Sequence, residues 1–154
     1  MYINSGVLGK LMPILDTGAV ASALSGSLAG SDGDRLAEFV CVGERVEVAR
    51  IAVGLSTAVV STGNVLITVV NRPTAKSATG QVTIGTLTIP TGVAAGKVYY
   101  KDVNQASIDP GGSLCFIVTT AAAGGSKAGA AVPGFIAQED PEYKLNESNM
   151  VASA

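Results

Sequence analysis

The feature that most limits what this chain can fold into is a train of short β-type segments between residues 45 and 120, each closed by glycine, proline or asparagine. Segments 45–55, 64–71, 81–90, 96–103 and 113–120 are rich in Val, Ile, Thr or Tyr, with turn residues at their borders. Such side chains fit a pleated, half-buried surface. Several short strands at near-regular spacing, with no long helical stretch between them, predict an all-β antiparallel β-sandwich, jelly-roll-like in plan.

The alternation within these segments carries more detail. Residues 36–42 open the sheet, with Leu36, Glu38, Val40 and Val42 in one phase and Ala37, Phe39 and Cys41 in the other. In the next segment Val46 and Val48 share a face, whereas Ile51, Val53 and Leu55 fall in the opposite phase. A slip of one residue near Ala49-Arg50 predicts a bulge or bend, because strand side chains alternate with period two. A bend there would let one strand serve both sheets. A second slip sets Val82 and Ile84 against Leu87 and Ile89 across Gly85-Thr86, and we read it as a bulge, since hairpin arms of three residues would be very short. Residues 65–70 are apolar on both faces and should be covered on both. Asp109-Pro110-Gly111-Gly112 is a strong turn signal. Phe116, Val118, Ile67 and Val53 are the expected core. Residues 130–138 form a last strand, which Pro133 confines to an edge or a bulge.

The ends read differently. The expected division is an N-terminal arm over 1–35, the sandwich over 36–138 and a C-terminal arm over 139–154. Residues 17–34 are mostly Gly, Ala and Ser, too poor in large apolar groups to offset the entropy of ordering alone. Before them stands an apolar island, Leu11, Met12, Ile14 and Leu15, which Pro13 keeps from being a regular helix. Its two readings are contact with a partner and closure of the open end of its own sandwich. A short helix over 19–28 is the competing local reading, weakened by Ser25 and Gly26. In the C-terminal arm Tyr143 and Leu145 are sparse anchors. The candidate partner-binding residues are thus Leu11, Met12, Ile14, Leu15, Tyr143 and Leu145.

Totals exclude several functions. A length of 154 residues suits one domain. Only 14% of residues are charged, against about 25% ordinarily, so much of the surface is expected to be covered by partners. The ten Lys and Arg are scattered and net charge is −2, which argues against nucleic acid, since phosphate binding needs convergent positive charge. No apolar run approaches the roughly 18 residues of a membrane span. The apolar start is too short for a signal peptide, so the chain is expected to be made intact and inside the cell. Cys41 and Cys115 lie in apolar strand contexts and read as buried free thiols, with an inter-sheet disulfide as the alternative. No cofactor or metal is expected.

Motif imitations fail on spacing. Residues 92–98 have three residues between the glycines where a phosphate loop needs four, and Val98 replaces the magnesium-binding Ser or Thr. Asp32-Gly33-Asp34 lacks the later acidic ligands of a calcium loop and reads as a solvated turn. With no His, a nucleophile would need Lys or a carboxylate as base, and neither Ser-x-x-Lys nor Gly-x-Ser-x-Gly occurs. The chain is expected not to be an enzyme.

Residues 36–154 carry a resemblance. The strand core, the Pro-Gly-Gly turn before Leu114-Cys115-Phe116-Ile117-Val118, the segment Ala128-Gly129-Ala130-Ala131-Val132-Pro133-Gly134 and the polar C-terminal extension resemble tailed-phage virion proteins. Among these the chain is most similar to capsid cement or decoration proteins. That resemblance implies a β-sandwich on the capsid surface of the virion, a major capsid protein or neighbouring copies as partners, and a trimer or dimer. A receptor- or carbohydrate-binding sandwich, such as a fibre head or adhesin, and a shell subunit are the alternatives.

Overall fold

In the computed structural model residues 26–137 and 150–153 are described, and all regular structure among them is β. The strands are β1 (Gly26–Ser27), β2 (Asp34–Val40), β3 (Val46–Val60), β4 (Val65–Arg72), β5 (Val82–Ile89), β6 (Val98–Ile108), β7 (Ser113–Thr120), β8 (Ala128–Ile136) and β9 (Met150–Ala152). They build two packed sheets, ordered β1-β8-β3-β6-β9 and β2-β7-β4-β5.

That order has a simple origin in chain geometry. β4 pairs with β5, β3 with β6, β2 with β7 and β1 with β8, all antiparallel. The first eight strands are therefore one long hairpin, wound so that successive rungs fall in alternate sheets. Pairing of β3 with β8 and of β4 with β7 then closes each sheet. β9 is the exception to the antiparallel expectation, since it adds to β6 in parallel.

Between the sheets lies one apolar cluster, with Phe39, Ile51, Val53, Ile67, Leu87, Phe116 and Val118 at its centre. The four residues expected in the core, Phe116, Val118, Ile67 and Val53, are all buried. Burying side chains of this size gains about 1.5–3 kcal/mol each.

The first phase slip is a bulge in β3 between Val48 and Arg50. It turns Val48 and Ile51 both inward, which unbroken alternation over three positions would forbid. The expectation that this bend carries the strand into both sheets is corrected. β3 stays in the five-stranded sheet, because β6 pairs with it on both sides of the bend and β8 from Arg50 onward. The second slip is also a bulge: Val69 faces Gly85 and Val70 faces Thr83, so the extra residue is Ile84, just ahead of the Gly85-Thr86 step.

The expected boundary at residue 35 moves, because residues 26–35 belong to the sandwich. Leu28 is fully buried, its N–H donates to the Gly129 carbonyl (2.9 Å), and its own carbonyl accepts from Ala122 N–H (2.7 Å). A Cβ on Gly26 would come within 2.3 Å of Leu36 Cδ1, so this slot beside β2 admits only glycine unless Leu36 moves. The described part of the small-residue stretch that suggests an arm is strand and turn, held by these backbone hydrogen bonds. At the other end, residues 150–153, expected in the C-terminal arm, tie the two sheets together. Ser153 N–H donates to Tyr100 O (2.7 Å) and Ser153 Oγ accepts from Thr88 N–H (2.6 Å) on the edge of β5. Of the helix considered over 19–28, the described residues Gly26–Ser27 are strand, and 19–25 lie outside the described residues.

Pro133 takes the place its chemistry requires. β1 covers β8 only at Ala130 and Ala131, so from Val132 onward the outer flank of β8 is an edge among the described residues. The turn Asp109-Pro110-Gly111-Gly112 carries the chain from β6 to β7. Gly112 N–H donates to Asp109 O (2.9 Å) and Gly111 has φ 86°, a type II turn with proline and glycine at its two central positions.

Candidate docking face

The sandwich has two outer faces, and they differ in chemistry. On the four-stranded sheet the outward positions Glu38, Ser113, Cys115, Val70 and Arg72 are themselves closed off from solvent. Register places Glu38 beside Cys115 and Cys115 beside Val70. Glu38 organises this face. Its carboxylate accepts from Ser113 Oγ (2.6 Å), the backbone N–H of Lys76 (2.7 Å) and Arg35 Nη1 (2.7 Å), and Arg72 Nη1 lies at 3.5 Å. Burial works against its charge, but the hydrogen bonds from Ser113, Lys76 and Arg35 and the positive Arg72 outweigh it, so its pKa falls below the ordinary value. One carboxylate thereby pins the loop after β4 to β2 and β7. Lys76, held with φ 65°, shows the loop backbone bent to meet it.

Cys115 lies beneath this network. Burial pushes its thiol up to about 11, and Glu38 adds to the shift while Arg72 and Arg35 oppose it. Burial likewise raises Cys41, whose Sγ donates to Glu44 O (3.1 Å). Both cysteines are free, in line with the reading as buried thiols.

The outer face of the five-stranded sheet is different. β3 presents Arg50, Ala52 and Gly54 outward, since Ile51, Val53 and Leu55 are buried on the other side. Register sets Ile136, Gly134 and Val132 of β8 beside these three, and Asp102, Tyr100 and Val98 of β6 on their other flank. The outcome is a shallow apolar trough. Its floor is Ala52, Gly54 and Gly134, and larger side chains flank it on either side. A Cβ built on Gly134 meets no heavy atom within 4 Å, and Val132 is 37% exposed. One end of the trough is charged, where Arg50 Nε bonds Asp102 Oδ1 (2.5 Å) and its guanidinium lies 4.3 Å from the centre of the Tyr100 ring.

Among the described residues no buried side-chain nitrogen or oxygen lacks a hydrogen-bond partner, and no group of three or more His, Cys, Asp or Glu is placed to hold a metal. Asp32 and Asp34, considered as calcium donors, serve the backbone instead. Asp32 Oδ1 accepts from Ala121 N–H and Asp34 Oδ2 from Ser31 N–H, each at 2.7 Å.

All six candidate partner-binding residues, Leu11, Met12, Ile14, Leu15, Tyr143 and Leu145, lie outside the described residues. The trough itself escaped the sequence reading. Its signal was the small residues Ala52 and Gly54 alternating with Ile51, Val53 and Leu55, a pattern that marks a solvent-facing row without saying that its neighbours in space are apolar.

The class the fold defines is a two-sheet all-β sandwich. No protein-family model matches the chain, and no curated protein or solved structure matches it either.

Proposed function

We propose that this protein is a non-enzymatic structural component of a virus particle, a cement or decoration protein that braces neighbouring capsid subunits on the virion surface. The observation that carries the reading is the apolar trough on the five-stranded sheet, on a sandwich whose other sheet carries the Glu38, Arg35 and Arg72 ion pairs. A surface of that kind is built to be covered. The strand order adds support. A hairpin wound through β1-β8-β3-β6 and β2-β7-β4-β5 is a jelly roll, an architecture found in viral capsid and lectin domains. The fold alone does not define the function, so the low charge and the resemblance to tailed-phage virion proteins carry the rest.

On this reading the partners are the major capsid protein or neighbouring copies of the chain, with the protein itself a trimer or dimer. Leu11, Met12, Ile14, Leu15, Tyr143 and Leu145 add contacts from the two ends. Neither nucleic acid nor membrane is a partner, and no cofactor takes part. Quantitative mass spectrometry of purified particles tests the proposal. It should find the chain at a fixed sub-stoichiometric or equal ratio to a distinct major shell protein, accessible to surface labelling, and particles stripped of it should lose heat resistance. Particles without the chain would end the reading.

The wound eight-strand order also favours a second reading, a shell subunit, because viral shells use the same architecture. Copy number separates the two, since a shell subunit would itself be the major component. A fibre head or adhesin would instead be present in few copies and would bind glycans or cells in isolation.

A further inference from the structure

We infer that β9 and the Ser153 that follows it form an exchangeable strand: the slot they fill on β6 is an interaction surface for the same strand of a second copy of this chain. This deepens the reading of neighbouring copies as partners and rests on it only for where exchange is used, since exchange itself is a property of the free protein. Three observations lead there.

The first is how β9 is held. Met150 lies beside Val98, Val151 beside Tyr99 and Ala152 beside Tyr100. Ser153 closes the slot, its N–H donating to Tyr100 O (2.7 Å) and its Oγ accepting from Thr88 N–H (2.6 Å). Neither Val151, 38% exposed, nor Ala152 enters the apolar cluster between the sheets. An element held by backbone bonds, with little buried apolar surface, sits at the low end of local stability and lifts away without unfolding the sandwich.

The second is what its departure leaves. β9 is the last strand of its sheet, so without it β6 becomes an edge with unpaired N–H and C=O groups along Val98–Tyr100. Thr88 N–H loses its acceptor as well. A strand of the same sequence restores every one of these bonds, whichever chain it comes from, so exchange changes no contact within the slot. Met150, Val151, Ala152 and Ser153 carry no side-chain charge that would oppose entry into a neighbour.

The third is reach. β8 is antiparallel to β3, β3 is antiparallel to β6, and β9 is parallel to β6, so β8 and β9 point the same way. Ile136 near the end of β8 is level with Arg50 and Asp102, whereas Met150 is level with Val98, four residues back along β6. Three strand spacings and four residues set these points about 20 Å apart. The twelve residues 138–149 span up to about 40 Å. That surplus is enough for β9 to enter the slot of a copy packed alongside. At home the strand competes at an effective concentration on the order of millimolar, so the dilute chain keeps its own strand and exchange belongs to crowded copies.

Two full-length variants test this, Tyr100→Cys in one chain and Ala152→Cys in the other, joined by a short bis-maleimide. Incubated together at about 1 mM, they should give a product linking one chain of each kind, about tenfold or more above its level at about 10 μM. Val98→Cys serves as a second acceptor that leaves the contact between Arg50 and Tyr100 intact. No mixed product at the higher concentration, or products of like chains in equal amount, overturns the inference. Hydrogen exchange on the unaltered chain gives an independent check. Thr88 N–H should exchange on the order of a hundredfold faster than the amides of β4, because lifting β9 frees it. Equal protection would mean that β9 leaves only when the sandwich unfolds, which overturns the inference too. A mixed product from a chain absent from particles would end the virion reading and leave strand exchange standing.

Discussion

Phe39 on β2 and Phe135 on β8 meet edge to face between the sheets, ring centroids 5.3 Å apart and planes at 73°. Phe39 also meets Phe116 on its own sheet at 5.8 Å and 76°, so a single ring joins both layers. Edge-to-face pairs place the positive rim of one ring on the negative face of the other and add about 0.5–1.5 kcal/mol each beyond area burial.

Phe39→Ala is therefore expected to cost about 3–5 kcal/mol in denaturant unfolding, through lost burial and the cavity left behind. Val60→Ala, at a position 46% exposed, should stay within about 0.5 kcal/mol. Equal effects of the two changes would mean that the inter-sheet aromatic contact does not anchor the fold.

Glu38 makes stability depend on acid. Its pKa is lowered in the folded state, so its contribution is fully present above its ordinary value of 4.5 and is lost as pH falls through the lowered folded value. Glu38→Gln should be less stable than the native protein near neutrality, and the gap should narrow as pH drops below that point. Glu38→Ala should cost about 3 kcal/mol near neutrality, because it removes the carboxylate partner of Arg72, which is only 11% exposed and keeps its bond to Gln81, and leaves Ser113 Oγ and Lys76 N–H without their acceptor. A stability difference that does not change between neutral and acid pH would show that the network does not titrate as described.

The two thiols should be chemically silent in the native protein. Cys115 is fully buried with its pKa near 11, and Cys41 is also buried and raised, so little thiolate is exposed near neutral pH. A disulfide-exchange reagent at pH 8 is expected to count no thiols in the folded chain and two in denaturant. Rapid modification of either thiol before unfolding would contradict the burial described.

Gly112 is a site where even a methyl group does not fit. A Cβ there would lie 2.8 Å from Arg72 O, 3.1 Å from Asp109 O and 3.3 Å from Pro73 O, all of them backbone atoms that cannot swing aside. Gly112→Ala should cost about 1–3 kcal/mol. Gly63→Ala, with open space around its Cβ, serves as the comparison and should be close to neutral in thermal melts.

By itself the sequence determined that this chain is an all-β sandwich, where most strands lie, which faces are inward and that two bulges interrupt them. Those properties are local: alternation, β-branching and turn chemistry act within a few residues, and the Val48 to Ile51 slip needs no partner strand to be seen. Only the tertiary structure decided which strands adjoin. Glu38 and Ser113 are 75 residues apart in the chain and share a hydrogen bond, and no short-range pattern foretells that one carboxylate will hold a distant loop. The same holds for the trough. Ala52, Gly134 and Tyr100 come from three separate strands, each contributing a residue that is unremarkable alone, and they become one apolar surface only through register. It also decided that residues 26–35 belong to the sandwich. Composition shows that a Gly-rich stretch cannot build a core, but not that it will be held against existing strands by backbone hydrogen bonds and one buried leucine.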